Sequence, residues 1–249
     1  LEQLIYRKFD LCINCAGSSD VRRSFETPEY DFELNVTLVE RLVEHLKLYN
    51  KDIRFINISS AAVYGNPQKL PIKETDRKDP ISPYGKHKLI SENILRKAFL
   101  EDGLKAISLR IFSIYGEGQK KLLFWDLFRK MKSSNKISLF GTGNESRDFI
   151  NIYDFCRLLD IIVEKGNFDG SAINIASGKE VFVKDAAEIF AKAMGWRGSV
   201  CFSNQTIEGY PQNWCADISK IESLGYKAEV DFFEGLKRYI SWAGKLNSV

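Results

Sequence analysis

The chain of 249 residues contains no apolar run approaching the roughly 20 residues needed to span a bilayer, and its opening, LEQLIYRKFD, lacks the cationic and apolar blocks of a secretory signal. No membrane partner is expected, and the expected location is the cytoplasm. Histidine is scarce. His45 and His87 both fall in helical patterns, neither at H-x-x-x-H or H-E-x-x-H spacing, so no metal site is expected. The five cysteines, Cys12, Cys15, Cys156, Cys201 and Cys215, are odd in number and read as reduced core thiols rather than a disulfide framework. Cys12 and Cys15 stand at C-x-x-C spacing, but Leu11 to Ala16 reads as a buried strand, where residues three apart point to opposite faces. Basic and acidic side chains are interspersed around a net charge of +3 with no basic stripe, so no nucleic-acid partner is expected.

With 44% hydrophobic residues, the chain can bury a sizeable core. Strand-length apolar runs alternate with helical patterns: LCINCAG, a helix around Asn35 to Leu48, IRFINIS, a helix from Pro83 to Leu100, then KAISLRIFS. This βαβαβ order, with strands apolar on both faces, predicts an α/β fold: a Rossmann-like, doubly wound parallel sheet. After Ile114 the rhythm changes. An aromatic helix from Leu122 to Met131, a strand ISLFGTGN, RDFINIYD opening a helix through Val163, the strand SAINIAS, and helices over Val183 to Met194 and Phe232 to Trp242 read as a smaller α/β substrate-binding cap. The expected division is 1–112 for the dinucleotide-binding part and 113–249 mainly for the cap, with 150–165 packing back on the former. No internal repeat or low-complexity linker separates the two.

One element of such a fold is missing from the sequence. A strand, a G-x-G-x-x-G turn and a helix normally open it, and no segment supplies them; GEG at Gly116 to Gly118 and GTG at Gly141 to Gly143 are too short and follow the wrong elements. LEQLIYRKFD reads as a helix feeding an internal strand, so about 60 residues, two units of about 30, are expected upstream. The chain also lacks an initiator Met.

The strongest chemical signal is SPYGKHK. Ser82 is placed as a helix cap, Pro83 at the first turn, and Tyr84 and Lys88 stand four apart on one face. A tyrosine with a reference pKa near 10 is a poor base, and an adjacent ammonium favours its phenolate. The alternative is a tyrosine and a lysine on an ordinary helix surface. Upstream, FINISSAAVYG is an apolar strand ending in Ser59 and Ser60, at the carboxyl end where a parallel sheet presents its active groups. The alternative for these serines is turn chemistry, expected to hold for one of them.

These segments resemble the extended short-chain dehydrogenases/reductases, specifically the NAD-dependent epimerase/dehydratase group typified by UDP-galactose 4-epimerase. The resemblance covers nearly the whole chain, through NCAGSSDVRRSFETPEYDFELNV, SSAAVYG, SPYGKHK, LRIFSIYGEG, GTGNESRDFINIYD, INIASG and ADISK. It implies a catalytic triad of Ser60, Tyr84 and Lys88, with Tyr84 the acid/base and Ser60 on the reacting oxygen. It also implies a cofactor-binding set of Ala16, Gly17, Asn35, Ser59, Tyr84 and Lys88, and Arg147 gripping a substrate diphosphate. The alternative for Arg147 is a surface pair with Asp148. The implied cofactor is NAD, with NADP left open because the selecting residue would lie upstream. The implied ligand is a nucleoside-diphosphate sugar and the implied assembly a homodimer.

Departures narrow the reading. Dehydrating members carry an acidic pair where this chain has Ala61 and Ala62, and methyl groups transfer no protons, so dehydration is disfavoured. A substrate-contacting asparagine is replaced by Ser113, and an arginine expected before Asp217 by Thr206 or Ile207; Lys120, Lys121 or Arg129 could compensate, though a solvated face suits all three. The leading expectation is an epimerase acting by transient oxidation at sugar C4. A keto-sugar reductase and a non-catalytic binding protein of the same fold are the alternatives.

Overall fold

A computed structural model describes residues 8–205 and 208–246; the predicted N-terminal helix lies mostly in 1–7 and the Thr206 or Ile207 replacement in 206–207, outside the described residues. The chain enters at strand β1 (Leu11–Asn14), then runs through two short helices, α1 (Val21–Glu26) and α2 (Pro28–Phe32). A π-helical turn (Glu33–Thr37) joins α2 to α3 (Leu38–Tyr49) without a break. Strand β2 (Arg54–Ser60) ends in a 3₁₀ turn (Ala61–Tyr64). The long helix α4 (Pro83–Asp102) leads to β3 (Ala106–Ile111) and β4 (Ser113–Tyr115). There follow α5 (Leu122–Ser133), β5 (Lys136–Leu139), β6 (Ser146–Asn151), α6 (Ile152–Lys165), β7 (Asp169–Ile175) and β8 (Glu180–Phe182). The remaining elements are α7 (Val183–Met194), β9 (Ser199–Phe202), α8 (Ser219–Ser223) and α9 (Phe232–Leu246).

The main sheet has the order β1-β2-β3-β7, parallel throughout. Its strands are buried on both faces, as their near-continuous aliphatic sequences require. On one face Val39, Leu42, Val43 and Leu46 of α3 and Leu95 and Ala98 of α4 pack on Phe55 and Ala106. On the other, Leu158 and Ile162 of α6 and Ile221 of α8 pack on Ile56, Ile107, Leu109 and Ile173. This is the doubly wound arrangement. The sheet takes back one strand read as part of the cap: β7, carrying SAINI, pairs with β3 through Leu109 to Ile173 and Arg110 to Asn174. Ile173, Asn174 and Ile175 are buried in succession, as in the other strands of this sheet, and only the long-range partner decides which sheet β7 joins.

The cap is built on a β4-β6-β8 sheet and a β5-β9 pair. Its core is aromatic, with Tyr115, Phe124, Phe128, Phe149, Phe190 and Tyr239 among its buried members. β6 covers RDFIN, read in sequence as the opening of a helix; Asn151 is the true cap, accepting from the Tyr153 amide at 3.0 Å.

The cysteines correct an expectation. Cys215 alone of the five is buried. Cys15 lies past the end of β1, Cys156 is out of phase with the buried Leu158 and Ile162 stripe of α6, and Cys201 occupies an outward position of β9. An apolar neighbourhood in sequence does not place a residue on the inward phase. Among the described residues, no helix is long and apolar enough to cross a membrane.

Candidate active site

Ser60 is the last residue of β2 and the cap of the 3₁₀ turn, its hydroxyl accepting from the Ala62 amide at 3.1 Å. Helix α4 starts opposite it, where Ser82 accepts from the Gly85 amide at 3.1 Å and Pro83 occupies the first position, as a capped start requires. Gly85 allows this start to press on the turn: a Cβ there would stand 2.5 Å from the Ala62 carbonyl oxygen. A second brace, not foreseen from sequence, is Ser24 of α1, fully buried, which accepts from the Tyr84 amide at 3.2 Å.

The three candidate catalytic side chains come together. Burial pushes the Tyr84 phenol up to about 12, interaction with the Ser60 hydroxyl pulls it down, and the Asp31 carboxylate adds to the rise. Lys88 lies one turn on, its ammonium 5.8 Å from the Tyr84 ring centre, donating to the Ile58 carbonyl at 2.9 Å. Burial lowers its pKa to about 8, opposed by Asp31 and Glu92. Asp31 is itself held by His87, whose Nδ1 lies 2.7 Å from a carboxylate oxygen. The spacing of Asp31 and His87 in the chain, 56 residues, carries no signal of this pairing.

Ala16 and Gly17 form the exposed turn beyond β1, where the Ala16 amide donates to Asn14 at 3.1 Å. Asn14 in turn donates to Asn57 at 3.0 Å, tying that turn to β2. The π-helical turn brings Asn35 beneath Gly17, a use such turns often have at functional sites. Gly17 sits at φ 143°, and a Cβ on it would stand 2.8 Å from Asn35 Oδ1 and 3.5 Å from Lys88 Nζ. Among the described residues, neither amide atom of Asn35 has a hydrogen-bond partner, although the residue is buried. Orphaned polar atoms beside a side-chain-free turn and an ammonium are what a polyhydroxyl ligand satisfies, so these residues fit the ribose end of a dinucleotide. Ser59 differs: its hydroxyl is directed beneath the site and donates to Glu92 at 2.6 Å.

A cavity of about 400 Å³ in the cap is lined by residues including Phe140, Glu145, Arg147, Tyr210, Gln212 and Asn213. Arg147 donates to the Ser146 and Gln212 carbonyls at 2.7 and 3.1 Å and lies 5.6 Å from the Trp214 ring centre. Burial lowers its pKa to about 10, opposed by Glu145 and Tyr210. It forms no pair with Asp148, which points the other way and accepts from Ser177 N and Oγ, Gly178 N and Ala216 N at 2.8 to 3.1 Å. Ser113 pairs with Phe149, two residues along β6 from Arg147. Lys121 is exposed and donates to Ser19 at 2.6 Å; Lys120 and Arg129 are also exposed.

The fold is a parallel doubly wound sheet, with Ser60, Tyr84 and Lys88 gathered at the carboxyl end of β2. The family model for the NAD-dependent epimerase/dehydratase family matches residues 1–176. A putative UDP-glucose 4-epimerase of Methanocaldococcus jannaschii is 31% identical over 246 residues, spanning 97% of this chain and 79% of the relative. Bacillus cereus UDP-glucuronic acid 4-epimerase, solved with UDP-glucuronic acid and NAD, superposes with a TM-score of 0.89 at 28% identity, covering 96% of this chain and 76% of that one. The dTDP-glucose 4,6-dehydratase DesIV of Streptomyces venezuelae superposes with a TM-score of 0.88 at 25% identity, over 96% and 74%. The chain belongs to the NAD-dependent epimerase/dehydratase family.

Proposed function

We propose that the protein interconverts UDP-sugars epimeric at C4 by transient oxidation at that carbon. The observation that carries this reading is the junction of two groups of side chains: Ser60 with Tyr84, and Gly17 and Asn35 with Lys88, which also stands over the Tyr84 ring. Tyr84 is the acid/base, its phenolate taking the proton of the sugar hydroxyl and later returning it. Ser60 hydrogen-bonds the same oxygen and steadies the phenolate. Lys88, fixed on the Ile58 carbonyl, supplies the positive potential that offsets the cost of burying that phenolate. Ala16, Gly17, Asn35 and Lys88 would hold NAD, which when bound supplies an acceptor and donor of hydride. Ala61 and Ala62 follow Ser60 with methyl groups only, leaving no further acid and base there for loss of water.

In the cap, the Arg147 fork suits a diphosphate and the Phe140 side chain, 59% exposed, offers a flat apolar face to a nucleobase. The choice of UDP and of C4 is supported by what the relatives are named for. The homodimer and the cytoplasmic location go with this reading. The test is incubation of the protein with NAD and separate UDP-, dTDP-, GDP- and CDP-sugars, with products resolved by NMR. C4 epimers of a UDP-sugar without net cofactor consumption are expected. Consumption of NADPH with release of a reduced sugar would move the protein to the reductases, and no turnover with any donor would refute the assignment.

A further inference from the structure

Tyr84, Lys88 and Glu92 stand at successive fourth positions along one stripe of α4, and the first two belong to the candidate triad. Glu92 is nearly buried and forms an ion pair with Arg110 of β3, the side chains 7% and 5% exposed. Arg110 Nε donates to both carboxylate oxygens at 3.0 and 3.2 Å, and Nη2 to one at 2.7 Å. The same carboxylate accepts the Ser59 hydroxyl at 2.6 Å. From Arg110 the chain of contacts continues: Nη1 donates to the Tyr64 hydroxyl at 2.7 Å and to the Glu74 carbonyl at 3.0 Å. Tyr64 donates to Asn174 Oδ1 at 2.7 Å, and Asn174 Nδ2 to the Ile72 carbonyl at 2.9 Å. Strand register explains the assembly, since Ser59, Arg110 and Asn174 lie side by side across β2, β3 and β7.

A buried ion pair is often no more stabilising than apolar residues of the same volume, so fold stability alone gives little reason for one here. Its location supplies another reason. Ser59 immediately precedes Ser60, and Tyr64 closes the 3₁₀ turn that Ser60 opens, so the network grips the chain on both sides of Ser60. It also joins that turn to the helix that carries Tyr84 and Lys88. We propose that Glu92 and Arg110 are positioning residues, which act through Ser59 and Tyr64 to set the Ser60 hydroxyl against Tyr84. The inference rests on the triad reading above but assigns work to residues outside the triad and outside the cofactor and diphosphate sites.

Tyr64→Phe tests it with the charge pair intact, because it removes one hydroxyl and keeps the ring. Turnover of the UDP-sugar is expected to fall by about tenfold or more, since small misplacements of reacting groups are costly, while KM and NAD affinity stay within about twofold. The acid limb of the kcat profile is expected to move to higher pH, because a misplaced Ser60 no longer steadies the Tyr84 phenolate. Glu92→Gln is expected to act in the same direction and more strongly. Should that variant fail to fold, Tyr64→Phe and the Glu92→Leu/Arg110→Met pair carry the test; the apolar pair is expected to fold and to show the same loss of kcat. Hydrogen exchange of the Ala62 amide, which donates to Ser60, provides a readout that needs no turnover and is expected to quicken in Tyr64→Phe. Unchanged kcat, pH profile and Ala62 exchange in Tyr64→Phe would overturn the inference while leaving the triad standing. Absence of turnover in the unaltered protein would instead remove the triad reading, and the exchange measurement would still decide whether the network holds Ser60.

Discussion

At Tyr84 burial and a neighbouring hydroxyl act in opposite directions on one proton. Burial pushes the phenol up to about 12 and the Ser60 hydroxyl pulls it down, so the working pKa depends on positive charge brought close to the ring. Tyr84→Phe is therefore expected to lower turnover by about two to four powers of ten with the circular dichroism spectrum unchanged; full activity would exclude Tyr84 as the acid/base. Lys88 adds a pH dependence of known sign. Its pKa lies near 8 through burial, so the ammonium is present below that pH and lost above it. Activity is expected to fall through an alkaline limb near pH 8. Lys88→Arg, whose guanidinium stays charged, is expected to flatten that limb even if the rate at neutral pH drops; an unmoved limb would assign it to another group.

At the scale of elements, the turn after β1 and the π-helical turn act as a pair. Gly17 occupies a φ that side-chain-bearing residues rarely adopt, and its missing Cβ leaves room for Asn35 Oδ1 and Lys88 Nζ. Gly17→Ala is expected to cost about 1–3 kcal/mol of stability through backbone strain and to weaken NAD binding by about tenfold or more. Thermal melts and NAD titration by calorimetry check the two effects, and unaltered NAD affinity would release Gly17 from the cofactor site.

The helix carrying Tyr84 and Lys88 is legible in SPYGKHK because a serine cap, a first-turn proline and a fourfold spacing are all local signals. The main strands β1, β2 and β3 are legible for a similar reason, being apolar runs bounded by turns. β6 is not, because RDFIN has no strand periodicity of its own and is made a strand by β4 and β8, each far away in sequence. The orientation of Ser59 toward Glu92 is likewise set by a residue 33 positions away, and the pairing of Asp31 with His87 by one 56 positions away.

Over the whole molecule, the cap and the main sheet are joined at Asp148. This side chain projects from β6 and is satisfied by amides just beyond β7 and by Ala216, so one carboxylate ties cap strand, main sheet and the 213–217 segment together. Asp148→Asn puts an N–H donor where backbone N–H groups converge. A loss of about 1–3 kcal/mol is expected, read as a lower denaturation midpoint. A midpoint equal to that of the unaltered protein would show that the junction is held elsewhere.

The division of aromatic residues between the two parts has an optical consequence. All four tryptophans, Trp125, Trp196, Trp214 and Trp242, lie beyond the βαβαβ segment, with Trp125, Trp196 and Trp242 in or against the cap core. Trp214 is the exception in place: it packs on Phe112 in the buried cluster around the turn after β2, with the Arg147 guanidinium over its ring. Emission from Trp125, Trp196 and Trp242 therefore reports on the cap core, and a ligand that draws Arg147 off the indole of Trp214 announces its arrival in the emission of the unlabelled protein.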